Sequence, residues 1–183
     1  MILYINSCSR KESRTHRLAL EVLKKLGNKY EEVKLIDLDI KPLNESMLNQ
    51  RSRWIEKKDF DHPYFDLAKQ FSNADTIVIS APYWDMSFPS VLKEYIENIY
   101  ITGLVSEYNE LGMPVGLCKA KNLYYVVSAG GTYDPRFSYD YIHDMATICF
   151  GIENVKCIKA EMLDIVGSDV KKIMDEAIKS IEL

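Results

Sequence analysis

Hydroxyl and basic side chains crowd residues 6–16, NSCSRKESRTH, between an apolar run and a helical pattern. Ser7, Ser9, Ser13 and Thr15 supply hydroxyls, and Arg10, Lys11 and Arg14 supply positive charge. A helix N-terminus adds unpaired amides and a partial positive charge, so the stretch is a plausible cradle for a phosphate monoester. It has neither the glycines of a dinucleotide fingerprint nor the Gly-Lys-Ser/Thr of a P-loop, which points to a mononucleotide or flavin phosphate held by hydroxyls. The plainer reading is that Ser13 or Thr15 caps the helix beneath a solvated loop.

The same residues admit a second chemistry. Cys8 and Arg14 bracket five residues and Thr15 follows, a pattern that resembles the phosphate loop of low-molecular-weight tyrosine phosphatases and some arsenate reductases. That resemblance implies a Cys8 nucleophile with a pKa depressed by Arg14 and the helix terminus, and Asp134, followed by Pro135, as general acid. The glycine and asparagine of that family's loop are absent here.

A second stretch, residues 80–90, crowds Tyr83, Trp84, Met86 and Phe88 between Pro82 and Pro89. Pro82 stops an apolar strand and Pro89 opens a helix at its favoured first turn. Aromatic side chains exposed at a strand's carboxyl end suit a flat conjugated ring, on which they stack while turn amides reach its polar edge. Otherwise they form an aromatic cluster under the next helix.

The elements that carry these loops follow from hydrophobic patterning. Apolar, β-rich runs at residues 1–5, 32–38, 76–80, 123–128 and 155–160 read as about five strands. Helical stripes separate them at residues 14–26, 64–73, 90–101, 139–150 and 169–181. Such alternation predicts an α/β fold, a three-layer doubly wound sandwich around a parallel sheet, with the ligand beyond the carboxyl ends of the strands. The loops after the first, third and fourth strands are therefore the ones to inspect. Residues 44–58 read as a polar surface helix, and residues 105–121 as a long functional or interfacial connection.

Composition narrows the field. The 183 residues suit one domain, 1–183, able to bury about 70% of its unfolded surface without a disulfide or metal. With 47% hydrophobic and 27% charged residues and only 8 Gly and 6 Pro, disorder and fibrous structure are excluded. A net charge of −4 with no Lys/Arg block argues against nucleic acid as a partner. The start, MILYINS, lacks the basic and apolar regions of a signal peptide, and no apolar run is long enough to span a membrane, so a cytoplasmic location is expected. Cys8, Cys118, Cys149 and Cys157 form no metal or disulfide pattern, and the last three read as buried or idle thiols. His16, His62 and His143 read as surface or packing residues.

The aromatic loop carries a stronger resemblance. Ala81-Pro82-Tyr83-Trp84-Asp85-Met86 followed by Pro89-Ser90-Val91-Leu92-Lys93-Glu94-Tyr95-Ile96 is similar to the corresponding segment of FMN-dependent NAD(P)H azoreductases and quinone reductases. Tyr108, Glu110, Gly112, Pro114, Gly116 and Leu117 resemble that family's long connection, and Ser128-Ala129-Gly130-Gly131-Thr132-Tyr133 its Gly-Gly loop. Phe150-Gly151-Ile152 with Ala160-Glu161 resembles its last strand region, so the likeness runs in order along nearly the whole chain.

The resemblance implies a flavodoxin-like fold, noncovalent FMN, NADH or NADPH as donor, quinone or azo compounds as acceptors, ping-pong kinetics and a homodimer with sites at its interface. It assigns the FMN phosphate to Ser7, Ser13, Arg14 and Thr15, and the ring to Pro82, Tyr83, Trp84, Asp85 and Met86. Ser128, Ala129, Gly130 and Gly131 would serve the ring's pyrimidine edge, where glycine lets amides approach closely. Trp84, Phe88, Tyr108 and Tyr133 would meet the substrate. No catalytic side chain and no metal are implied, because the redox chemistry belongs to the flavin. Three positions depart from the family: Asp85 for Asn, Met86 for Phe and Ala129 for Arg. An inward Asp85 carboxylate would lower the flavin's potential. These departures also motivate a third reading, a flavin-free binding module of the same fold.

Overall fold

Each predicted strand alternates its side chains between two apolar layers, which is what a sheet covered on both faces requires. The computed structural model describes residues 1–183. Its first half contains β1 (Ile2–Asn6), α1 (Arg14–Lys25), β2 (Tyr30–Lys34), α2 (Glu45–Glu56), α3 (Asp66–Asn73), β3 (Thr76–Pro82) and α4 (Ser90–Ile99). Its second half contains β4 (Ser106–Tyr108), β5 (Pro114–Gly116), β6 (Asn122–Ser128), α5 (Tyr139–Asp144), β7 (Asn154–Ala160) and α6 (Val170–Lys179). Five strands form one parallel sheet in the order β2-β1-β3-β6-β7. This is the doubly wound arrangement expected from the alternation.

One face of the sheet buries Leu3, Ile5, Ile77, Ile79, Leu123, Tyr125 and Val127 with side chains of α3, α4 and α5. The residues between them, Tyr4, Val78, Tyr124 and Val126, face Leu18, Ala19, Val22 and Leu23 of α1 and Met174 and Ala177 of α6. The chain leaves β1 to one side for β2 and then crosses to β3 on the other, so the loops after β1 and β3 diverge at their shared edge. Register sets their level: Asn6 is opposite Ser80, and Pro82 is opposite Ser128.

Three elements depart from expectation. The second strand was expected over residues 32–38, but it ends at Lys34, paired with the last residue of β1, and Leu35–Asp37 is a 3-10 turn. Val33 and Leu35 are both buried, so the apolar alternation runs past the point where a ladder partner exists. The helix expected over residues 139–150 is α5 followed by a wider π turn, Met145–Phe150, closed by Gly151 at φ 74°. The long connection folds its centre into a hairpin, with β4 and β5 antiparallel and Glu107 opposite Val115. As expected, the polar segment forms a surface helix, α2, capped by Asn44 and burying no residue fully.

The hairpin rests on a backbone contact that only glycine permits. A Cβ at Gly116 would lie 2.0 Å from both the Gly151 amide nitrogen and the Phe150 carbonyl carbon. Nearby, the Cys118 amide donates to the Phe150 carbonyl and the Leu117 amide to Val105. Gly116→Ala should push the hairpin off the π turn and cost about 1–3 kcal/mol, the range for overpacking, which lowers Tm by about 4–8 °C at the middle of that range. Thermal unfolding followed by circular dichroism checks this, and an unchanged Tm contradicts the packing described.

Candidate functional site

At the carboxyl edge of the sheet, the first loop is shaped by side chains beneath it. Asn6 Oδ1 accepts the Cys8 amide at 2.9 Å, and Asn6 Nδ2 donates to Glu32 at 2.8 Å. The Tyr4 hydroxyl sits between His16 Nδ1 at 2.7 Å and Ser80 Oγ at 2.9 Å, and its ring stacks on that of His16. Burial raises the Tyr4 pKa, which keeps the phenol protonated. His16 is thus a half-buried packing residue. Asn6, which sequence reasoning passed over, pins the loop's exit.

Ser13 has extended backbone and caps α1, its Oγ accepting the His16 amide at 3.2 Å. Arg14 and Thr15 follow in the first turn, where amides lack intrahelical acceptors. Together with Ser9, Arg10 and Glu12 they form one wall of a cavity of about 380 Å³. Pro82, Tyr83 and Trp84 form a second wall, and Ser128, Ala129 and Gly130 the floor. The loops are joined directly: Thr15 Oγ1 and Ser128 Oγ are 2.6 Å apart, and the Tyr83 amide donates to the Ser128 carbonyl at 3.0 Å.

Trp84 is held by a tight two-residue turn. The Trp84 and Ser87 amides each donate to the other's carbonyl, at 2.9 and 2.7 Å, while Asp85 and Met86 have φ of 49° and 67°. That is the mirror-image hairpin turn that favours Asn-Gly, so Met86 occupies a strained position. Strain there keeps Trp84, 41% exposed, on the cavity wall. Asp85 and Met86 sit exposed at the turn's tip, away from the cavity lining. The inward carboxylate considered from sequence therefore does not occur.

The Gly-Gly loop is locked by the segment after β7. Amides of Met162, Leu163 and Asp164 donate to the carbonyls of Gly131, Ala129 and Gly130 at 2.8–3.2 Å. Glu161 accepts the Tyr133 amide at 2.8 Å and Lys159 Nζ at 2.7 Å, and these partners hold its carboxyl below the usual range. The Gly130 and Gly131 amides donate to no acceptor in the protein. A Cβ at Gly130 would come within 2.4 Å of Asp164 Oδ2, so close backbone approach is built in. Gly131 itself lies just outside the cavity lining.

Leu163 and Asp164 complete the cavity and were not anticipated. Arg14 Nη1 donates to Asp164 Oδ1 at 2.7 Å, an ion pair that spans 150 positions and leaves no local sequence signal.

Several expected residues lie elsewhere. Ser7 is fully buried, and its amide and Oγ both donate to the Ser80 carbonyl, at 3.0 and 2.7 Å, so no donor remains for a phosphate. Tyr133 stands behind Tyr83, ring centroids 5.0 Å apart and edge-on, with its hydroxyl on Ser138. Phe88 packs against Tyr141 beside a separate cavity, and Tyr108 is exposed on the hairpin.

The phosphatase chemistry fails on the same geometry. Cys8 is buried, and that burial raises its thiol pKa even though Ser13 and Ser80 bond to it. Asp134 is chelated by Arg136 at 2.6–3.1 Å and held below the ordinary carboxylate range, the wrong direction for a proton donor. Arg14 pairs with Asp164 and makes no hydrogen bond to the thiol. Native protein at neutral pH should alkylate slowly at Cys8 with iodoacetamide, and Cys8→Ser should leave p-nitrophenyl phosphate hydrolysis at background in both proteins. Rapid Cys8 alkylation, or hydrolysis lost in the variant, would contradict this assignment.

Known proteins resemble this chain in sequence and fold along its length. A family profile described as flavodoxin-like fold matches residues 1–183. The FMN-dependent NADH:quinone oxidoreductase of Coprothermobacter proteolyticus is 34% identical over 99% of this chain and 96% of its own length. A second FMN-dependent NADH:quinone oxidoreductase, from Clostridium acetobutylicum, is 34% identical over 97% and 94%. Among solved structures, an azoreductase from Bacillus anthracis superposes with a TM-score of 0.83 at 20% identity over 97% of this chain and 94% of its own. An FMN-dependent NADH-azoreductase of Bacillus anthracis in complex with FMN superposes with a TM-score of 0.76 at 23% identity over 97% and 93%. With a profile across its full length and relatives matched end to end, the chain belongs to the flavodoxin-like FMN-dependent NADH:quinone oxidoreductase family.

Proposed function

We propose that this protein moves two electrons from NADH, through bound FMN, to a quinone, azo compound or similar flat aromatic acceptor by a ping-pong mechanism. The observation that carries this reading is the cavity in which a helix N-terminus, an aromatic wall and a glycine floor converge. FMN, if bound there, would supply the redox chemistry, hydride acceptance from the nicotinamide and reduction of the acceptor, while the chain's own residues hold and orient the rings. The residues present fit that group. Ser9, Ser13 and Arg14 with the first-turn amides of α1 offer donors to a phosphate, Trp84 and Tyr83 a surface for a flat ring, and the free Gly130 amide a donor to its polar edge. Thr15 and Ser128 hold the two ends of the site at a fixed separation.

In this reading residues 1–183 act as one cofactor-binding domain that works as a homodimer. Support for the dimer is the hairpin, where Tyr108, Leu111, Met113, Val115 and Leu117 are all exposed, Leu111 to 86%. Apolar side chains concentrated on one projecting element mark an interaction surface. Tyr108 would then meet substrate across that interface. The location in this reading is cytoplasmic; no helix is long and apolar enough to cross a membrane.

Purified protein should be yellow, or become so with added FMN, and should oxidise NADH faster when menadione is supplied. Colourless protein without affinity for FMN would overturn the reading. The Arg14–Asp164 pair gives a sharper expectation. Both side chains are substantially exposed, 43% and 65%, so the pair is worth no more than about 1 kcal/mol and a phosphate can displace it. Arg14→Gln should weaken FMN binding about tenfold, the loss of one charge-assisted hydrogen bond, while sparing riboflavin. Asp164→Asn should release Arg14 and tighten FMN by about two- to fivefold. Fluorescence titration of apoprotein checks both, and equal effects on FMN and riboflavin would remove Arg14 from the phosphate.

A further inference from the structure

The floor of the cavity is a loop whose main chain is held almost entirely by other main chain. The carbonyls of Ala129, Gly130 and Gly131 accept the amides of Leu163, Asp164 and Met162, and the Ala129 amide donates to the Ala160 carbonyl. None of these bonds depends on which side chains surround them. The Tyr133 amide is different. Tyr133 is buried, and its amide finds its acceptor in Glu161 Oε2 at 2.8 Å. Glu161 is the one side chain that bonds to the main chain of residues 129–133.

Tyr133 is also where floor and wall meet. Its backbone ends the Gly130 loop, its ring stands edge-on behind Tyr83 with centroids 5.0 Å apart, and its hydroxyl lies 2.9 Å from that of the buried Ser138. Tyr83 lines the cavity on that side, and Gly130 lines it from below. Fixing one amide therefore fixes two surfaces. Glu161 is itself oriented from behind: Lys159 Nζ donates to Oε1 at 2.7 Å, which leaves Oε2 for the amide, and it lies 5.9 Å from the centre of the Tyr133 ring. A buried amide deprived of its acceptor is costly, so without Glu161 the loop would shift toward water or another partner.

We propose that Glu161 is a positioning residue of the redox site: by holding the Tyr133 amide, its carboxylate aims the free Gly130 amide at the edge of a bound ring and braces Tyr83 as the wall. The inference rests on the oxidoreductase reading and deepens it with a residue that acts through others, since Glu161 does not line the cavity. The role demands an acceptor at this point rather than a charge. The side-chain carbonyl of glutamine would serve.

The test uses the full chain, stripped of flavin and titrated with FMN and with riboflavin. Glu161→Ala should raise both dissociation constants about tenfold, the loss of one charge-assisted hydrogen bond, and should alter the visible circular dichroism of the bound flavin at saturation. Glu161→Gln should restore affinity to within about threefold, together with the wild-type spectrum. Amide hydrogen exchange followed by NMR reads the same bond without flavin. In wild-type apoprotein Tyr133 should exchange slowly and Gly130 fast, and Glu161→Ala should speed Tyr133; if that variant fails to fold, the wild-type contrast and the Glu161→Gln titration decide. A loss confined to FMN would place Glu161 at the phosphate, equal losses in the two variants would make charge the cause, and a lowered Tm with unchanged affinities and spectrum would leave only a structural role. Each overturns the proposal, as does fast exchange at Tyr133. Wild-type protein that binds neither flavin brings down the oxidoreductase reading. Wild-type protein that binds both, with a Glu161→Ala variant that binds them equally well, brings down the Glu161 assignment alone.

Discussion

One carbonyl, that of Ser80, holds the carboxyl edge of the sheet together. It accepts both the amide and the hydroxyl of Ser7, the first residue after β1, and so ties the first loop to β3 just where the chain order reverses. Below it, Tyr4, Asn6 and the Ser80 hydroxyl form a bonded cluster that leaves the loop few alternatives. A buried polar group without a partner is costly, so satisfying these donors selects one loop path. Every wall of the cavity is then placed relative to that junction. Thr15 reaches Ser128 across it, Tyr83 bonds to the Ser128 carbonyl, and the Gly130 loop is clamped from the far side by the segment after β7.

The electrostatics follow from the same geometry. A chain of net charge −4 can hold a phosphate only through local donors, and α1 supplies them with no acidic residue in its first turn. Asp164 and Glu12 stand against this trend, carboxylates in the lining of the proposed phosphate site. Arg14, the partner of Asp164, is kept oriented toward the cavity by the pair, at the expense of competing with any bound phosphate. The backbone strain at Met86 has a comparable logic: an unfavourable conformation is retained where it sets the position of an aromatic wall.

Much of this was legible in the sequence because the signals are local. Strands with apolar residues on both faces, amphipathic stripes on α1 and α6, Pro82 and Pro89 around the aromatics, and Ser13 as a cap each announce themselves within a few residues. The parallel, doubly wound sheet followed from the alternation of strands with helices, and with it the loops that carry the candidate site. What escaped notice depends on distant partners. Ser7 looked like a phosphate donor by type, yet its hydroxyl is consumed by a residue 73 positions away. Asp164 and Leu163 lie on a loop outside the switch point, brought in only by pairing with residues 129–130. The second strand was drawn too late because the alternation of Val33 and Leu35 continues after β1 has run out.

The central claim is that a flat cofactor ring lies against Trp84, and tryptophan emission tests it directly. The chain has two tryptophans, and Trp54 is not part of the cavity lining, its ring centroid lying 3.9 Å from that of His62. In a Trp54→Phe variant, titration of apoprotein with FMN should quench the remaining emission almost completely, with an endpoint at one FMN per chain. Emission that persists while FMN binds would put the ring elsewhere and contradict the account.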